Sequence, residues 1–292
     1  MKEIIVIVGP TGVGKTKLSI ELAKKLDAEI INGDSVSIYQ GLNIGSAKPT
    51  MEEKEGIPHH LIDIRNVREE YSVYDYQKDA REKIEDITSR GKRVIMVGGT
   101  GLYLKAALYN YEFSFEEEKE EYEDLSNEEI LLRIRNYTQE PLPDPNNRRR
   151  LTRTLSRLEK GEEIPHGKND LLYPIRVIGL TTDREFLYER IHKRVDQMVE
   201  NGLLEEVTSL KEYYPTSRIL NSGIGYQEFA EYFQGEKTLE EVVEEIKQHS
   251  TRFAKRQYTF FNHQFPTKWY DVNFEDFSKT VEEVYEDIKK EA

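Results

Sequence analysis

The sequence contains no cysteine among its 292 residues. Disulfide bonds, thiolate nucleophiles and cysteine-ligated zinc are therefore excluded. There is also no apolar run of the roughly 18–20 residues that a membrane-spanning helix needs, and the first residues show no signal-peptide pattern. We therefore expect a cytoplasmic protein without a membrane partner. The length suits one large core with a smaller appended unit.

The chain is poor in positive charge overall, with a formal net charge of −13. That balance by itself argues against a nucleic-acid partner. The charges are segregated, however: acidic residues are concentrated at 116–121 and after Phe274, whereas residues 148–160 are strongly basic. Because net charge is a poor guide to a chain with segregated charges, a nucleic-acid-binding surface is compatible with this composition.

Short apolar segments alternate with helical patterns along most of the chain. The predicted strands lie at residues 3–8, 29–32, 93–97, 173–180 and 268–270. The first is apolar without alternation, as is typical of a strand buried on both faces of a parallel sheet. Leucines at helical spacing predict a helix over Lys15–Leu26. This order predicts an α/β fold with a P-loop NTPase-like core, in which helices flank a mostly parallel sheet and ligands bind at the carboxyl ends of its strands.

The pattern changes between the third and fourth predicted strands. Residues 111–170 are polar and helix-like, without a strand of comparable strength. We interpret them as a helical insertion domain whose basic stretch contacts a nucleic acid. The α/β core then consists of residues 1–110 and 171–292, and everything after the fourth strand is predicted to be helical up to Gln264.

The most specific local pattern is VIVGPTGVGKT near the start of the chain. It contains a P-loop pattern, Gly9-x4-Gly14-Lys15-Thr16, in the required place after a strand and before a helix. Backbone N–H groups of such a loop surround an anion, and the helix N-terminus and Lys15 add positive charge. The Thr16 hydroxyl is placed to bind Mg²⁺, the one cofactor we expect. The predicted diphosphate-binding residues are Gly9, Pro10, Thr11, Gly12, Val13, Gly14, Lys15 and Thr16.

The loop does not by itself identify the ligand as ATP. The strand at 93–97 ends in Gly98-Gly99-Thr100 without the carboxylate that a P-loop NTPase normally has there, and Asp34 follows the second strand instead. This combination favours attack by a bound acceptor on a phosphorylated donor. Two alternatives stay open from the residues alone: a small-molecule kinase, and a turn or helix-cap role for Asp34. Arg190 and Arg194 fit either a phosphate-binding role or an exposed helix face.

Eight segments together resemble the tRNA dimethylallyltransferase (tRNA isopentenyltransferase) family. In chain order they are GPTGVGKT (9–16), DSVSIYQGLNIGSAKPT (34–50), PHHLIDI (58–64), YSVYDYQKDA (71–80), VGGTGLYLKA (97–106), RVDQMVENGLLEEV (194–207), GIGYQE (223–228) and AKRQYTFF (254–261). The resemblance runs from the first residue to about Gln264. It is to the bacterial type, because the zinc-finger extension of eukaryotic relatives requires cysteines that this chain lacks.

The resemblance implies transfer of a dimethylallyl group from dimethylallyl diphosphate to the exocyclic N6 amine of the adenosine adjacent to the anticodon in tRNA. Asp34 matches the general base of the family, and Thr100 matches a residue at the reaction centre. Lys15 would stabilise the leaving diphosphate. The implied partners are dimethylallyl diphosphate and the anticodon stem-loop of tRNA, and a monomer is sufficient for this chemistry.

Two basic segments could follow the tRNA backbone. In residues 148–160 three leucines share one face of a predicted helix and the basic residues lie opposite them, which favours phosphate contacts over an ordinary solvated face. Arg252, Lys255 and Arg256 form the second group. The predicted tRNA contacts, including the block after the second strand, are Asp34, Ser35, Val36, Ser37, Thr100, Arg149, Arg150, Leu151, Thr152, Arg153, Lys255, Arg256 and Gln257.

Four positions depart from the family pattern. Residues that are common in relatives are replaced by Ser37, Ser222, Phe260 and Asn262, which affects the expected tRNA selectivity more than the reaction type.

Two further functions remain as alternatives beside a small-molecule kinase. A prenyltransferase acting on free adenine nucleotides would not need the basic insertion. A non-catalytic nucleotide-sensing or RNA-binding module would not need the full set of loop, Asp34 and Thr100.

Overall fold

The computed structural model describes residues 2–111, 113, 122, 124–139, 143–162 and 170–290. The chain divides into two compact units: a core unit, Met1–Tyr109 with Leu171–Ala292, and an insertion unit, Asn110–Asp170. The helical insertion was predicted at residues 111–170. The acidic run at 116–121 lies outside the described residues.

Six parallel strands form the sheet of the core unit. In chain order they are β1 (Ile4–Val8), β2 (Ala28–Asn32), β3 (His59–His60), β4 (Arg93–Val97), β5 (Ile175–Thr181) and β6 (Thr267–Asp271). Their order across the sheet is β3-β2-β4-β1-β5-β6, and each pairing is parallel. Every residue of β1 is buried, since helices cover both faces of the sheet. The predicted α/β class with a mostly parallel sheet is confirmed.

Helices pack on both faces of this sheet and also form the insertion unit. Among the described residues they are α1 (Lys15–Leu26), α2 (Val73–Ser89), α3 (Gly101–Leu108), α4 (Asn127–Tyr137), α5 (Arg148–Glu159), α6 (Arg184–Glu200), α7 (Leu203–Ser209), α8 (Phe229–Phe233), α9 (Leu239–Gln264) and α10 (Phe277–Lys290). One cluster of buried side chains includes residues of α2, α3 and α9, and a second includes residues of α1, α6 and α10.

The sheet order places the loops after β1, β2 and β4 side by side. β4 lies between β1 and β2, and the chain then crosses to β5 on the other side of β1. Backbone hydrogen bonds extend the ladder past the strand ends, from Gly33 N to the Val97 carbonyl and from Gly98 N to the Ile7 carbonyl. Strand order reverses at β1, and open α/β sheets bind their ligands at such a point.

Three parts of the core unit differ from the sequence prediction. The two-residue strand β3 has no periodicity that could reveal it, and it forms because it pairs with the buried strand β2. The long helix α2 begins at a capping box formed by Ser72 and Asp75 and was not predicted as an element. The prediction of helix throughout the region after β5 is wrong for residues 214–228, which form a series of turns.

The insertion unit has a small apolar core of its own. Helices α4 and α5 pack through Ile130, Ile134, Leu151 and Leu155, with Tyr122 beside them. Asn147 caps α5 by accepting a hydrogen bond from the backbone N–H of Arg150. The leucine face predicted for residues 148–160 is therefore the packed face of α5.

Within the described residues, none of the helices is long and apolar enough to span a lipid bilayer.

A buried carboxylate ties three elements together near the amino ends of the strands. Glu29 on β2 is 6% exposed and makes two hydrogen bonds with the guanidinium of Arg90 at the end of α2. His60 Nε2 on β3 lies 2.7 Å from Glu29 Oε2. The hydrogen bonds from Arg90, followed by the one from His60, lower the pKa of Glu29 to about 2 although burial opposes the shift.

Replacement of this carboxylate should destabilise the protein in a pH-dependent way. We expect Glu29→Gln to lower the free energy of unfolding at pH 7 by about 1–3 kcal/mol, because it removes the buried one of the two carboxylates, Glu29 and Asp86, that pair with Arg90. The deficit should shrink as the pH falls below 4.5, the ordinary value, towards 2, because the unfolded chain then binds a proton that the folded wild type does not.

Urea unfolding at pH 7 and pH 4 measures this difference. The control is Glu282→Gln, which breaks a surface ion pair with Lys25 and should change stability little at either pH. A Glu29→Gln deficit that is the same at both pH values would contradict the assignment.

Candidate active site

The phosphate loop, residues 9–16, leaves β1 and enters α1 through three glycines with positive φ. Gly9 has a φ of +138°, and a Cβ there would lie 2.6 Å from the Leu180 carbonyl oxygen on β5. Gly14 is the N-cap of α1 with a φ of +101°. Both positions therefore exclude a side chain, and the glycines let the backbone of the loop turn closely around the helix N-terminus.

Lys15 lies inside this loop. Its Nζ donates a hydrogen bond to the Pro10 carbonyl at 2.7 Å. Burial of the ammonium, followed by the positive charge of Arg194, lowers the pKa of Lys15 to about 7, while the carboxylate of Asp34 acts in the opposite direction. A bound anion would favour the protonated form of Lys15.

Two arginines of α6 reach the same loop. Arg190 Nε donates to the Gly12 carbonyl at 3.2 Å. Arg194 is partly buried, and burial lowers its pKa, an effect that Asp34 and Glu53 oppose and Arg190 reinforces. Both arginines are partly buried near the phosphate loop and do not lie on an exposed helix face, whereas their phosphate-binding role stays a prediction. Their i, i+4 spacing on one helix is the signal that could have favoured this arrangement.

Asp34 follows β2 and has two different oxygens. Oδ1 accepts hydrogen bonds from the backbone N–H groups of Val36, at 3.0 Å, and Ser37, at 3.4 Å. Oδ2 has no hydrogen-bond partner among the described residues. Asn32 fixes the backbone on either side, because it accepts from Asp34 N at 3.1 Å and donates to the Asp34 carbonyl at 2.9 Å. Asp34 is therefore a turn residue through one oxygen, and the other oxygen is left to accept a proton.

Thr100 connects the end of β4 to the end of β2. Its Oγ1 accepts a hydrogen bond from Ser35 N at 3.1 Å and donates to Ser35 Oγ at 3.2 Å. Its backbone N–H donates to the Gly33 carbonyl at 3.1 Å. Thr100 is also the N-cap of α3, without a capping hydrogen bond from its side chain. The structure therefore brings Thr100 next to the Asp34 turn.

Gln257 on α9 joins the phosphate loop to the Gly98–Thr100 turn. Its Oε1 accepts from Thr11 N at 3.1 Å, and its Nε2 donates to the Gly99 carbonyl at 3.1 Å. A Cβ at Gly99 would lie 2.1 Å from this Nε2 and 3.9 Å from Asp34 Oδ2, so the two side chains flank the same glycine. The side chain of Gln257, which the sequence predicts to contact tRNA, is buried.

The exposed side of α9 carries the predicted basic group. Arg252, Lys255 and Arg256 are exposed together with Gln248 and Thr259 on one side of the helix. Because Gln257 lies on the opposite side of the same helix, α9 presents cations to solvent on one face and holds two active-site loops on the other.

The insertion unit carries the other predicted tRNA contacts on α5. Arg149, Arg150 and Arg153 are exposed, and Thr152 is partly exposed. Leu151 is 0% exposed, so this predicted contact falls on a packed core side chain. The Ser37 side chain in the core unit is also buried.

A carboxylate that the sequence analysis missed fixes the loop after the Asp34 turn. Glu206 on α7 accepts hydrogen bonds from the backbone N–H groups of Asn43, Ile44 and Gly45, at 2.8–3.2 Å. Tyr226 donates its hydroxyl to Glu206 at 2.7 Å. Three of the quoted segments, 34–50, 194–207 and 223–228, meet in this cluster. Their chain order alone gives no indication of the contact.

The side-chain hydroxyl of Thr16, at the start of α1, is one oxygen that could bind Mg²⁺. The Thr16 side chain is exposed and makes no hydrogen bond among the described residues. No group of three or more His, Asp or Glu side chains in the described ranges is arranged to hold a metal ion. Mg²⁺ commonly takes one or two protein ligands and completes its shell with phosphate oxygens and water. Thr16 beside a diphosphate site fits that mode.

Comparison with known proteins agrees with this geometry. The model of the IPP transferase family matches residues 37–264. A tRNA dimethylallyltransferase from Anoxybacillus flavithermus is 44% identical over 297 residues, which cover 97% of this chain and 95% of the relative. The chain therefore belongs to the IPP transferase family, and the resemblance identified from the sequence is confirmed.

Solved structures show the same relationship. A tRNA delta(2)-isopentenylpyrophosphate transferase from Staphylococcus epidermidis has 39% identity and a TM-score of 0.77, and the match covers 100% of both chains. A eukaryotic dimethylallyltransferase acting on tRNA has 30% identity and a TM-score of 0.78, and the match covers 93% of this chain and 74% of that one.

The lowered pKa of Lys15 predicts proton uptake on anion binding. At pH 8 most Lys15 side chains of the free protein are neutral, because their pKa is about 7, and contact with an anion would restore the proton. Titration with inorganic diphosphate in two buffers of different ionisation enthalpy measures this uptake. Lys15→Arg keeps the charge and is always protonated, so wild type should take up about one proton more than this variant. Equal uptake by the two proteins would contradict the prediction.

Proposed function

We propose that this protein transfers a dimethylallyl group from dimethylallyl diphosphate to the exocyclic N6 amine of the adenosine adjacent to the anticodon in tRNA and releases diphosphate. The observation that carries the proposal is the position of Asp34. Its carboxylate is close enough to Lys15 and Arg194 to influence the pKa of both. Asp34 Oδ2 also flanks Gly99 together with Gln257, which bonds to Thr11 in the loop, and this arrangement supports a base and an anion-binding loop in one site.

The chemistry of the acceptor explains why a free carboxylate oxygen is needed. The lone pair of an adenine amine is delocalised into the ring, so the amine is a weak nucleophile. As its nitrogen bonds to carbon 1 of the donor, an N–H proton passes to Asp34 Oδ2. The hydrogen bonds to Oδ1 keep the carboxylate oriented for this transfer.

The donor site stabilises the leaving group. The bond between carbon 1 and the diphosphate oxygen breaks, and its electron pair stays on that oxygen. Backbone N–H groups of residues 9–16, together with Lys15, Arg190 and Arg194, surround the developing negative charge. Thr16 would hold Mg²⁺ at this site, and the metal, when bound, would supply further positive charge for the leaving group.

The target base has to leave the anticodon stack, which costs a few kcal/mol in a single-stranded loop. The exposed cations of α5 (Arg149, Arg150, Arg153) and of α9 (Arg252, Lys255, Arg256) supply phosphate contacts that offset this cost. Ser35, Val36 and Thr100 beside Asp34 would meet the flipped adenosine and its neighbours. We propose that the enzyme works as a monomer in the cytoplasm.

Family membership favours this function over the two alternative enzymes, a small-molecule kinase and a prenyltransferase of free adenine nucleotides. Near-full-length relatives are named tRNA dimethylallyltransferases. A small-molecule kinase or a prenyltransferase of free nucleotides would have no use for the exposed cations of α5.

Removal of the base should abolish transfer without loss of donor binding. In Asp34→Asn the side-chain carbonyl can still accept from Val36 N and Ser37 N, so the turn is kept, but the amide cannot take a proton. We expect kcat to fall by about 10²–10⁴-fold. The measurement is transfer of labelled dimethylallyl diphosphate to unmodified bulk tRNA with Mg²⁺.

Two results would contradict the assignment. Transfer by Asp34→Asn within threefold of wild type would exclude Asp34 as the base. Absence of label in tRNA with wild type, combined with phosphate transfer from ATP, would mean that the loop binds a nucleotide and that the proposed reaction is wrong.

Charge reversal on α5 tests the tRNA surface separately. Arg150→Glu/Arg153→Glu should weaken tRNA binding by at least about tenfold and reduce its salt dependence, because two phosphate contacts are lost. Affinity for inorganic diphosphate should not change. The measurements are filter binding of tRNA at several salt concentrations and calorimetry with diphosphate.

The control has the same change in net charge elsewhere on the surface. Lys78→Glu/Lys290→Glu reverses two exposed lysines of α2 and α10, outside the predicted contacts. If both double variants weaken tRNA binding equally, the effect comes from net charge and the α5 surface is an ordinary solvated face.

A further inference from the structure

Arg190 lies against an aromatic ring that comes from the far end of the chain. Its guanidinium carbon is 4.1 Å from the ring centroid of Phe274 and 5.8 Å from that of Phe186. The two rings are 5.2 Å apart. At 4.1 Å a guanidinium is within the range in which the face of a ring attracts a cation. Phe274 therefore fixes the guanidinium whose Nε bonds to Gly12 in the phosphate loop.

The turn that carries Phe274 is itself well anchored. Val272 N donates to the Thr181 carbonyl on β5 at 2.9 Å, and Asn273 N donates to Thr280 Oγ1 on α10 at 2.9 Å. Asp276 N donates to Asn273 Oδ1 at 2.8 Å. The ring of Phe274 is thus held from both sides, by β6 and by the start of α10.

A second ring of this segment touches the phosphate loop directly. A Cβ at Gly14 would lie 2.8 Å from the Phe277 ring. The ammonium of Lys17 is 4.9 Å from the centroid of the same ring. Phe277 therefore closes one side of the turn that begins α1, and only glycine at position 14 leaves room for it.

The terminal nitrogens of Arg190 are left for a ligand. Among the described residues the guanidinium makes one hydrogen bond, through Nε, and no ion pair with a carboxylate. Phe274 and Phe277 both lie beyond residue 264, where the match to the family model ends.

We propose that the segment 272–277 is a part of the donor site in which Phe274 and Phe277 are positioning residues. Phe274 holds Arg190 so that its two terminal nitrogens bind the diphosphate, and Phe277 supports the backbone at Gly14. This inference rests on the proposed function for the identity of the donor, but its central claim concerns diphosphate itself.

The test uses the full chain and inorganic diphosphate with Mg²⁺, measured by calorimetry. Phe274→Leu keeps an apolar side chain and removes the π face, so diphosphate should bind about 3–30-fold more weakly. Phe274→Tyr keeps the π face and should bind within about twofold of wild type. In transfer assays Phe274→Leu should raise KM for dimethylallyl diphosphate and leave KM for tRNA unchanged.

A double-mutant cycle separates positioning from general packing. If Phe274 acts through Arg190, Phe274→Leu should have no further effect on diphosphate binding in an Arg190→Gln background. Additive losses would overturn the proposal. Equal losses in Phe274→Leu and Phe274→Tyr would also overturn it, since the π face would then be irrelevant.

A matched control lies on α10. Tyr285 contacts two cations, Lys25 at 5.0 Å and Lys289 at 4.8 Å, at the other end of α1 from the loop. Tyr285→Leu should leave diphosphate binding unchanged, and a loss equal to that of Phe274→Leu would count against the proposal. Diphosphate binding does not require tRNA, so failure of transfer with intact diphosphate binding would contradict the proposed function and not this inference.

Discussion

Burial of basic side chains at the phosphate loop is the constraint on which this site depends. Lys15, Arg190 and Arg194 lie near residues 9–16, and the carboxylates of Asp34 and, for Arg194, Glu53 oppose the effect of burial. Burial, reinforced by a neighbouring like charge, lowers the pKa of both Lys15 and Arg194, so the free site disfavours their charged forms. An anion with several oxygens would favour those charged forms. In the proposed reaction this interaction would contribute to donor binding and to stabilisation of the departing diphosphate.

The sheet makes this concentration of charge possible. β4 lies between β1 and β2, so three loops that are distant in the chain meet at one edge. Their approach is very close: a Cβ at Gly98 would lie 2.2 Å from the backbone of Gly33. The two glycines leave no room for a side chain between these backbones, and this packing, with the hydrogen bonds between Thr100 and both Ser35 and Gly33, fixes the position of Asp34 relative to the phosphate loop. Glycine at positions 33 and 98 therefore allows the two loops to approach each other closely, in addition to any role in forming turns.

The sequence predicted the features that depend on local residue patterns, but not those that depend on contacts between segments distant in the chain. The phosphate loop, the parallel sheet and the place of Asp34 after β2 follow from apolar periodicity and glycine spacing. β3 has only two residues and exists through its pairing with β2, so no periodicity could show it. Gln257 was predicted to contact tRNA beside Lys255 and Arg256, yet it is buried on the face of α9 that carries Ala254 and Phe261, because the loops after β1 and β4 occupy that side. Phe274 and Phe277 lie after residues 254–261, the last segment that resembles the family, and no motif around them indicated a contact with the phosphate loop.

One rigid helix relates the two substrates of the proposed reaction. α9 runs over 26 residues from the capping box of Thr238 and Glu241, and it is long enough to cross the whole core. On one side Gln257 bonds to Thr11 in the donor loop and to Gly99 beside Asp34. On the other side Arg252, Lys255 and Arg256 face solvent. Because a helix does not twist or bend easily over so few turns, an RNA backbone bound to those cations would have a fixed distance to the donor loop. In the proposed reaction the same helix would therefore set the position of the acceptor RNA through its exposed charges, while its buried Gln257 holds the phosphate loop.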